Sequence, residues 1–479
     1  MNTKKLISLL LCSLIFFTLT GCNDNIQPNK TPPQIPVQVE LSEAEKKDIL
    51  TDAYVFTLPL MMEYATFIKA TNTVNATNVQ APVNQFIHAA NLATADFKDV
   101  VTPNVDTVYS QIFLELTDDA VILEFPKTDR FCTVEIMDAY TNCINLIDTT
   151  KFENESEKFI FTGTDFKDDI PDGMREIKCP TNLIWIIVRT ICNDEADLVN
   201  IKAIQNEMDS YTLTQYKNHT TNEKPQGNFD VNNNFIPSNY VLSFSMQDYF
   251  ELANELLEKY PPFATDKSMT DKMKKINVGA GLKFDSNIFG ENANEIWSEL
   301  VKDISDTVTA GSIKFIEQNG CWSYMGAPIA EFGTEYAYRG LISLVGLGAN
   351  PVSVAVYPKA TNSTEGARLN GKDDYVIHFE KDGLPNVDEY GFWSITIYNS
   401  NNNFLIDNEI DRYCINDRND VKFNADGSLD IIISKDKPEN GIENWLPTYE
   451  GDYHLVLRVY NPSDDVVNNT WAAPTITKK

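Results

Sequence analysis

The chain has 479 residues, 43% of them hydrophobic and 11% aromatic, and a formal net charge of −30. That length exceeds one ordinary core and predicts two or three domains. Such acidity excludes nucleic acid and anionic lipid headgroups as surface partners, and no stretch after residue 20 is long and apolar enough to span a bilayer.

The start of the chain carries Lys4 and Lys5, then the apolar run "LISLLLCSLIFFTL" from Leu6, then "LTGC". A positive start, a short apolar core and a small-residue cut site make a secretory signal over residues 1–21. Leu19-Thr20-Gly21-Cys22 resembles the bacterial lipobox. That resemblance implies lipidation of Cys22 as the first mature residue, and Asn23 after it points to the outer membrane. The expected location is therefore the bacterial cell envelope, lipid-anchored, on the outer membrane facing the periplasm or the cell surface. Cleavage removes two lysines and no acid, so the lipid rather than a basic patch must hold the membrane.

Residues 22–40 follow with Pro28, Pro32, Pro33 and Pro36 and no apolar periodicity, the composition of a tether. Ser42 and Glu45 form an S-x-x-E capping box before a helical run that reaches Ala70, with a kink or break expected at Pro59. Across 41–193 that helix is followed by short runs rich in β-branched and aromatic residues, among them "VYSQIFLEL", "AVILEFP", "FCTVEIM" and "IWIIVR", which read as a β-sandwich. Residues 194–347 switch to helical spacing, with "DEADLVNIKAIQNEMDSYTL" as the first helix and "GTEYAYRGLISLVG" as the last. Residues 348–479 return to strands and read as a second sandwich or jelly roll. The expected fold class is mainly β with an α-helical middle.

Six cysteines lie beyond Cys22: Cys132, Cys143, Cys179, Cys192, Cys321 and Cys414. An exported chain permits disulfides, six thiols allow fifteen connectivities, and buried thiols are equally open. Cys132 and Cys143 could face each other across a hairpin. Cys179 and Cys192 could not, if the ten residues between them are extended.

Several catalytic motifs fail. "GARLNGK" at Gly366–Lys372 is followed by Asp373 rather than Ser or Thr, so it is no phosphate loop. There is no H-E-x-x-H, G-x-S-x-G or G-x-G-x-x-G. With four histidines, His88, His219, His378 and His454, and no C-x-x-C, no motif indicates a metal or cofactor.

Polar residues beside apolar strands are the better candidates. In "YHLVLRVY", His454, Val456, Arg458 and Tyr460 share a face; in "FWSITIY", Phe392, Ser394, Thr396 and Tyr398 do. That mixed face is either a solvated sheet side or the lining of a cleft. Asn104, Asp106, Arg130, Asp138, Tyr140 and Arg189 sit at the ends of core-like strands, where charges need partners. An Asp106–Arg130 or Asp106–Arg189 pair is expected. Tyr336, Tyr338 and Arg339 are placed to pack between the two β regions, where ligand pockets form. Trp445, in "NWLPTYEGDY", reads as a packing residue at a turn.

Taken together, "PNVDTVYSQIFLEL" with "RFCTVEIMDAYTN", "YRGLISLVGLGANP" with "LNGKDDYVIHFE" and "GFWSITIYN", and "DGSLDIIIS" with "NWLPTYEGDYHLVLRVYNP" resemble the bacterial proteins built from domains of unknown function 1254 and 1214. The resemblance runs from about Ile49 to Pro474. It implies an immunoglobulin-like N-terminal sandwich, a helical middle and a C-terminal jelly roll, and it implies no activity. Asn104, Asp106, Thr107 and Tyr109 match the family's PN-x-DT-x-Y pattern. Its acidic residue after the Tyr-Pro has only the shifted Glu365 as counterpart.

Two functions are open. One is an envelope protein binding a small ligand or glycan in a polar cleft between the β domains, through Asn104, Tyr109, Arg130, Arg189, Tyr336, Arg339, Arg458 and Trp445. The other is a hydrolase with Asp106 and His88 as catalytic groups and arginines holding an anionic substrate.

Overall fold

The computed structural model describes residues 41–98 and 101–479. The signal sequence, the tether and the lipidation site Cys22 lie outside the described residues. No helix among the described residues is long and apolar enough to cross a membrane.

A single helix, Glu43–Thr71, opens the described chain, with Glu43 and Glu45 in its first turn and Lys69 in its last, each matched to the helix dipole. Its middle is apolar on all sides and buried, from Ala53 to Met62. The expected break at Pro59 does not occur; the helix runs through it. Pro59 has no N–H for the Val55 carbonyl, and that carbonyl lies against Gly340 of the helix Tyr336–Val345, where a Cβ would come within 3.6 Å. Packing of the two helices holds the segment straight enough to continue.

The N-terminal β region is two sheets. Ile87–His88, Thr107–Glu115, Leu183–Ile191, Cys132–Asp138 and Cys143–Asp148 lie side by side in that order. Met174–Lys178, Ser156–Thr162, Val121–Pro126 and Asp209–Thr212 make the second sheet. Ile112, Leu114, Val134, Ile186 and Val188 of one meet Leu123, Phe125, Phe159 and Phe161 of the other in one core. The strand Asp209–Thr212 corrects the sequence reading, which placed it in a helix. The helix stops at Glu207, and Ser210 and Tyr211 then pair with Leu123 and Ile122.

The C-terminal region is also two sheets. One runs Ile316–Asn319, Trp322–Met325, Lys359–Ala360, Tyr453–Pro462, Val387–Asn399, Cys414–Asn416, and the other Trp445–Pro447, Leu429–Ser434, Tyr375–Phe379, Thr475–Lys478. Trp393, Ile395, Ile397, Leu455, Leu457 and Val459 face Ile377, Phe379, Ile431 and Ile433 to form its core. The molecule is mainly β with a helical middle, as the texture predicts. The six cysteines after Cys22 are free thiols.

Candidate functional site

The mixed face of the C-terminal sheet is neither solvated nor an open cleft. Register places Ser394 opposite Arg458 and Tyr398 opposite His454, and all four are buried. What covers them is the segment leading into the strand Thr107–Glu115. Arg458 donates through Nη2 to the Thr102 carbonyl (3.3 Å) and to the Tyr398 hydroxyl (2.7 Å), and through Nη1 to Thr396 Oγ1 (2.9 Å). The Tyr398 hydroxyl donates to the Pro103 carbonyl at 2.6 Å. Asn104 Nδ2 donates to the hydroxyls of Tyr460 (2.6 Å) and Tyr109 (3.2 Å). Thr102, Pro103 and Asn104, three consecutive residues of "TPNVD", are thus held by one sheet of the other β region, and Asp106 joins them through Ser394, making a polar seam.

Asp106 is the deepest of them, with 0% exposure. Its N–H donates to Asn104 Oδ1 (2.7 Å), the Asx turn that Pro103-Asn104 suggests. Its Oδ1 accepts from Arg418 Nη2 at 2.6 Å and its Oδ2 from Ser394 Oγ at 2.5 Å. The expected arginine partners are therefore corrected. Arg130 pairs with Asp197 and Arg189 with Glu135, each at 2.6 Å. The register explains Arg189: it lies opposite Tyr109 and so shares that residue's face, while Asp106 takes the other. Arg418 stands in an irregular loop, "INDRND", and no periodicity marks it.

Behind Tyr109, Arg189 is fully engaged. It donates to Glu135, to Asn350 Oδ1 (2.8 Å) and to the Gly348 carbonyl, and lies 5.6 Å from the Tyr109 ring. Burial pushes the Glu135 carboxyl up to about 7 against the pull of Arg189. Asn350 Nδ2 in turn donates to the Tyr357 hydroxyl (2.8 Å), whose ring packs on Tyr460 at 5.8 Å. Burial pushes the phenols of Tyr357 and Tyr460 up, which keeps them protonated. Asn104, Tyr109 and Tyr357 are half-buried where the residues behind them are sealed. Here the seam meets solvent.

His88 does not join Asp106. It lies opposite Ser110, whose Oγ is 2.8 Å from its Nδ1, four residues and about 13 Å along the strand from Asp106. Burial, with help from Lys202, pulls its pKa down to about 4. Trp445 is also elsewhere, donating to the Ser434 carbonyl (3.1 Å) in the outer sheet. Among the described residues no cluster of three or more His, Cys, Asp or Glu side chains is placed to hold a metal. Two surface grooves of about 420 and 500 Å³ contain none of the sequence-derived residues. They are lined around Phe152 and Arg175, and around Pro82 and Lys224.

Tyr336 and Arg339 come together in a separate buried cluster. The Arg339 guanidinium lies 5.3–5.4 Å from the ring centres of Phe56, Tyr140 and Tyr336. Asp138 is spent on the Tyr140 and Asn142 N–H groups and the Asn142 amide, and it makes no ion pair with Arg339.

Residues 83–212 match the family described as "Protein of unknown function (DUF1254)" and residues 354–464 the one described as "Protein of unknown function (DUF1214)". No curated protein matches the chain. Among solved structures, the chain is similar to the VPA0106 protein from Vibrio parahaemolyticus (22% identity, TM-score 0.66, covering 90% of this chain and 99% of that one). It also aligns with an uncharacterized protein from Burkholderia cenocepacia (11% identity, TM-score 0.41, covering 91% and 93%). The Vibrio likeness establishes a shared fold.

Proposed function

We propose that this chain, a member of the proteins that join a DUF1254 domain to a DUF1214 domain, is a lipid-anchored envelope protein that binds a small polar ligand or a glycan where the seam meets solvent. The observation that carries this reading is the half-buried group Asn104, Tyr109 and Tyr357 above a network whose charges are already neutralised. The Asn104 amide is spent within the seam, and the phenols of Tyr109 and Tyr357 offer hydroxyl edges and ring faces, which suit hydroxyl-rich or small acidic molecules. The hydrolytic alternative draws no support from Asp106. Both its oxygens are bonded and it has no exposure, so it is not free to take a proton from water.

Calorimetric titration of the full-length chain in detergent against panels of oligosaccharides and small hydroxy acids tests the reading. One class binds saturably, and Tyr109→Phe and Tyr357→Phe each weaken it about five- to tenfold, the worth of one hydrogen bond. Absence of binding across both panels, or turnover of an ester, amide or glycoside that Asp106→Asn abolishes without unfolding the chain, contradicts it. Cys22→Ala moves the protein from the membrane to the soluble fraction; retention on the membrane would rule out the lipid as the anchor.

A further inference from the structure

The described residues contain one arginine whose whole guanidinium is orphaned. Arg339 has 0% exposure, and Nε, Nη1 and Nη2 all lack a hydrogen-bond partner. Buried arginines are otherwise tied, as Arg189 and Arg458 are, because an unpaired buried charge is among the costliest groups a fold can carry. The two acids that act on it, Asp138 and Asp266, do so only through space. Asp138 is bonded to the 140–142 turn, and Asp266 accepts from the Tyr336 hydroxyl (3.0 Å) and the Phe263 N–H (3.1 Å). Neither is free to turn.

A second orphan faces the same neighbourhood. Glu63 has 0% exposure, and both its carboxyl oxygens lack a partner. It stands seven residues, two helical turns, after Phe56, the ring that packs on Arg339, and so shares that helix face. Asp138 is in electrostatic reach of both Glu63 and Arg339. Donors without acceptors at one end and acceptors without donors at the other describe a receptor for a molecule with both. A bare anion fits less well, since Asp138 and Asp266 already oppose the arginine's charge. A cationic group beside Glu63 and Asp138 balances the acids while a carboxylate fills the arginine fork.

We infer that Arg339 and Glu63 form a second site, distinct from the seam, for a small zwitterion of the α-amino acid class, its carboxylate on the Arg339 fork and its ammonium on Glu63. Phe56, Tyr140 and Tyr336 wall the carboxylate end. Tyr336 is the one of these rings that is half-buried rather than sealed.

The test is calorimetric titration of the full-length chain, dialysed free of small molecules, with each of the common amino acids and with acetate and methylammonium as the separate halves. At least one amino acid binds saturably, and each half binds at least tenfold more weakly. Arg339→Lys, which keeps the charge but loses the fork, and Glu63→Gln, which keeps the shape, each weaken the amino acid at least tenfold. Tyr357→Phe leaves it unchanged, which separates this site from the seam. The inference is overturned if no amino acid binds, if acetate binds as tightly as the best of them, or if both variants bind like wild type. A crystal structure with only water between Arg339 and Glu63, or with Arg339 paired to Asp138 or Asp266, overturns it without any variant.

Discussion

Asp106→Ala lowers the free energy of unfolding by about 3 kcal/mol, the low end of the range for breaking a buried ion pair. The carboxylate is fully enclosed, and its removal leaves Arg418 and Ser394 Oγ without their acceptor. Arg418 keeps Asp417 at 2.9 Å and is 15% exposed, so part of the loss is recovered by solvation. Its stacking on Phe392, 4.7 Å away, is retained. Asp106→Asn costs less, because an amide oxygen still accepts from one of the two donors. Urea unfolding of the full chain measures both. A variant as stable as wild type would mean that the carboxylate is not enclosed as described.

Glu63→Gln raises stability at pH 8, without added ligand, and the gain vanishes near pH 4. Burial first, and then Asp138, hold the folded carboxyl well above its ordinary value of 4.5. The folded chain therefore keeps a proton that the unfolded chain releases. The corresponding stability is fully present below pH 4.5 and is lost as pH rises toward the folded value. Each pKa unit between the two states costs about 1.4 kcal/mol, and glutamine, which does not titrate, escapes that cost. Glu135 and Asp138, pushed up by burial to about 7 and about 6, act in the same direction. Wild-type stability contributed by these three groups thus declines as pH rises through their ordinary values, 3.8 for Asp138 and 4.5 for Glu63 and Glu135. Thermal unfolding of both proteins from pH 4 to 8 shows whether the curves converge at the acid end. Parallel curves, or a gain that grows toward acid, would show that Glu63 is ionised in the fold.

Strand texture in "FWSITIY" and "YHLVLRVY" was enough to assign two faces correctly, because alternation is a property of the strand itself. What covered the mixed face was not legible. Period 2 separates Ser394 and Arg458 from the Ile395 and Leu457 side, but a face buried under another β region and a face in water carry the same pattern when the cover is polar. The partner of Asp106 was hidden for a second reason. Arg189 was excluded by register, which depends on which strands pair, and Arg418 lies in a loop with no periodic signal. Asp209–Thr212 directly follows the helix Leu198–Glu207 and is too short to show a period of its own, so only its pairing with Val121–Glu124 identifies it as a strand. Glu63 was visible in principle as the one acid between Met62 and Tyr64 in an apolar helical run. Its orphaned state depends on what the helix Tyr336–Val345 and the 138–142 turn bring to it.

The most direct measurement of the seam is a double-mutant cycle between Asp106 and Arg418, 312 positions apart in sequence. If the "PNVD" segment anchors one β region to the other, unfolding of Asp106→Ala, Arg418→Ala and the double variant yields a coupling of about 2 kcal/mol, within the range for contacting charged pairs. A coupling below about 0.5 kcal/mol, the additivity of independent sites, would contradict the anchor and return Asp106 to the candidates for chemistry.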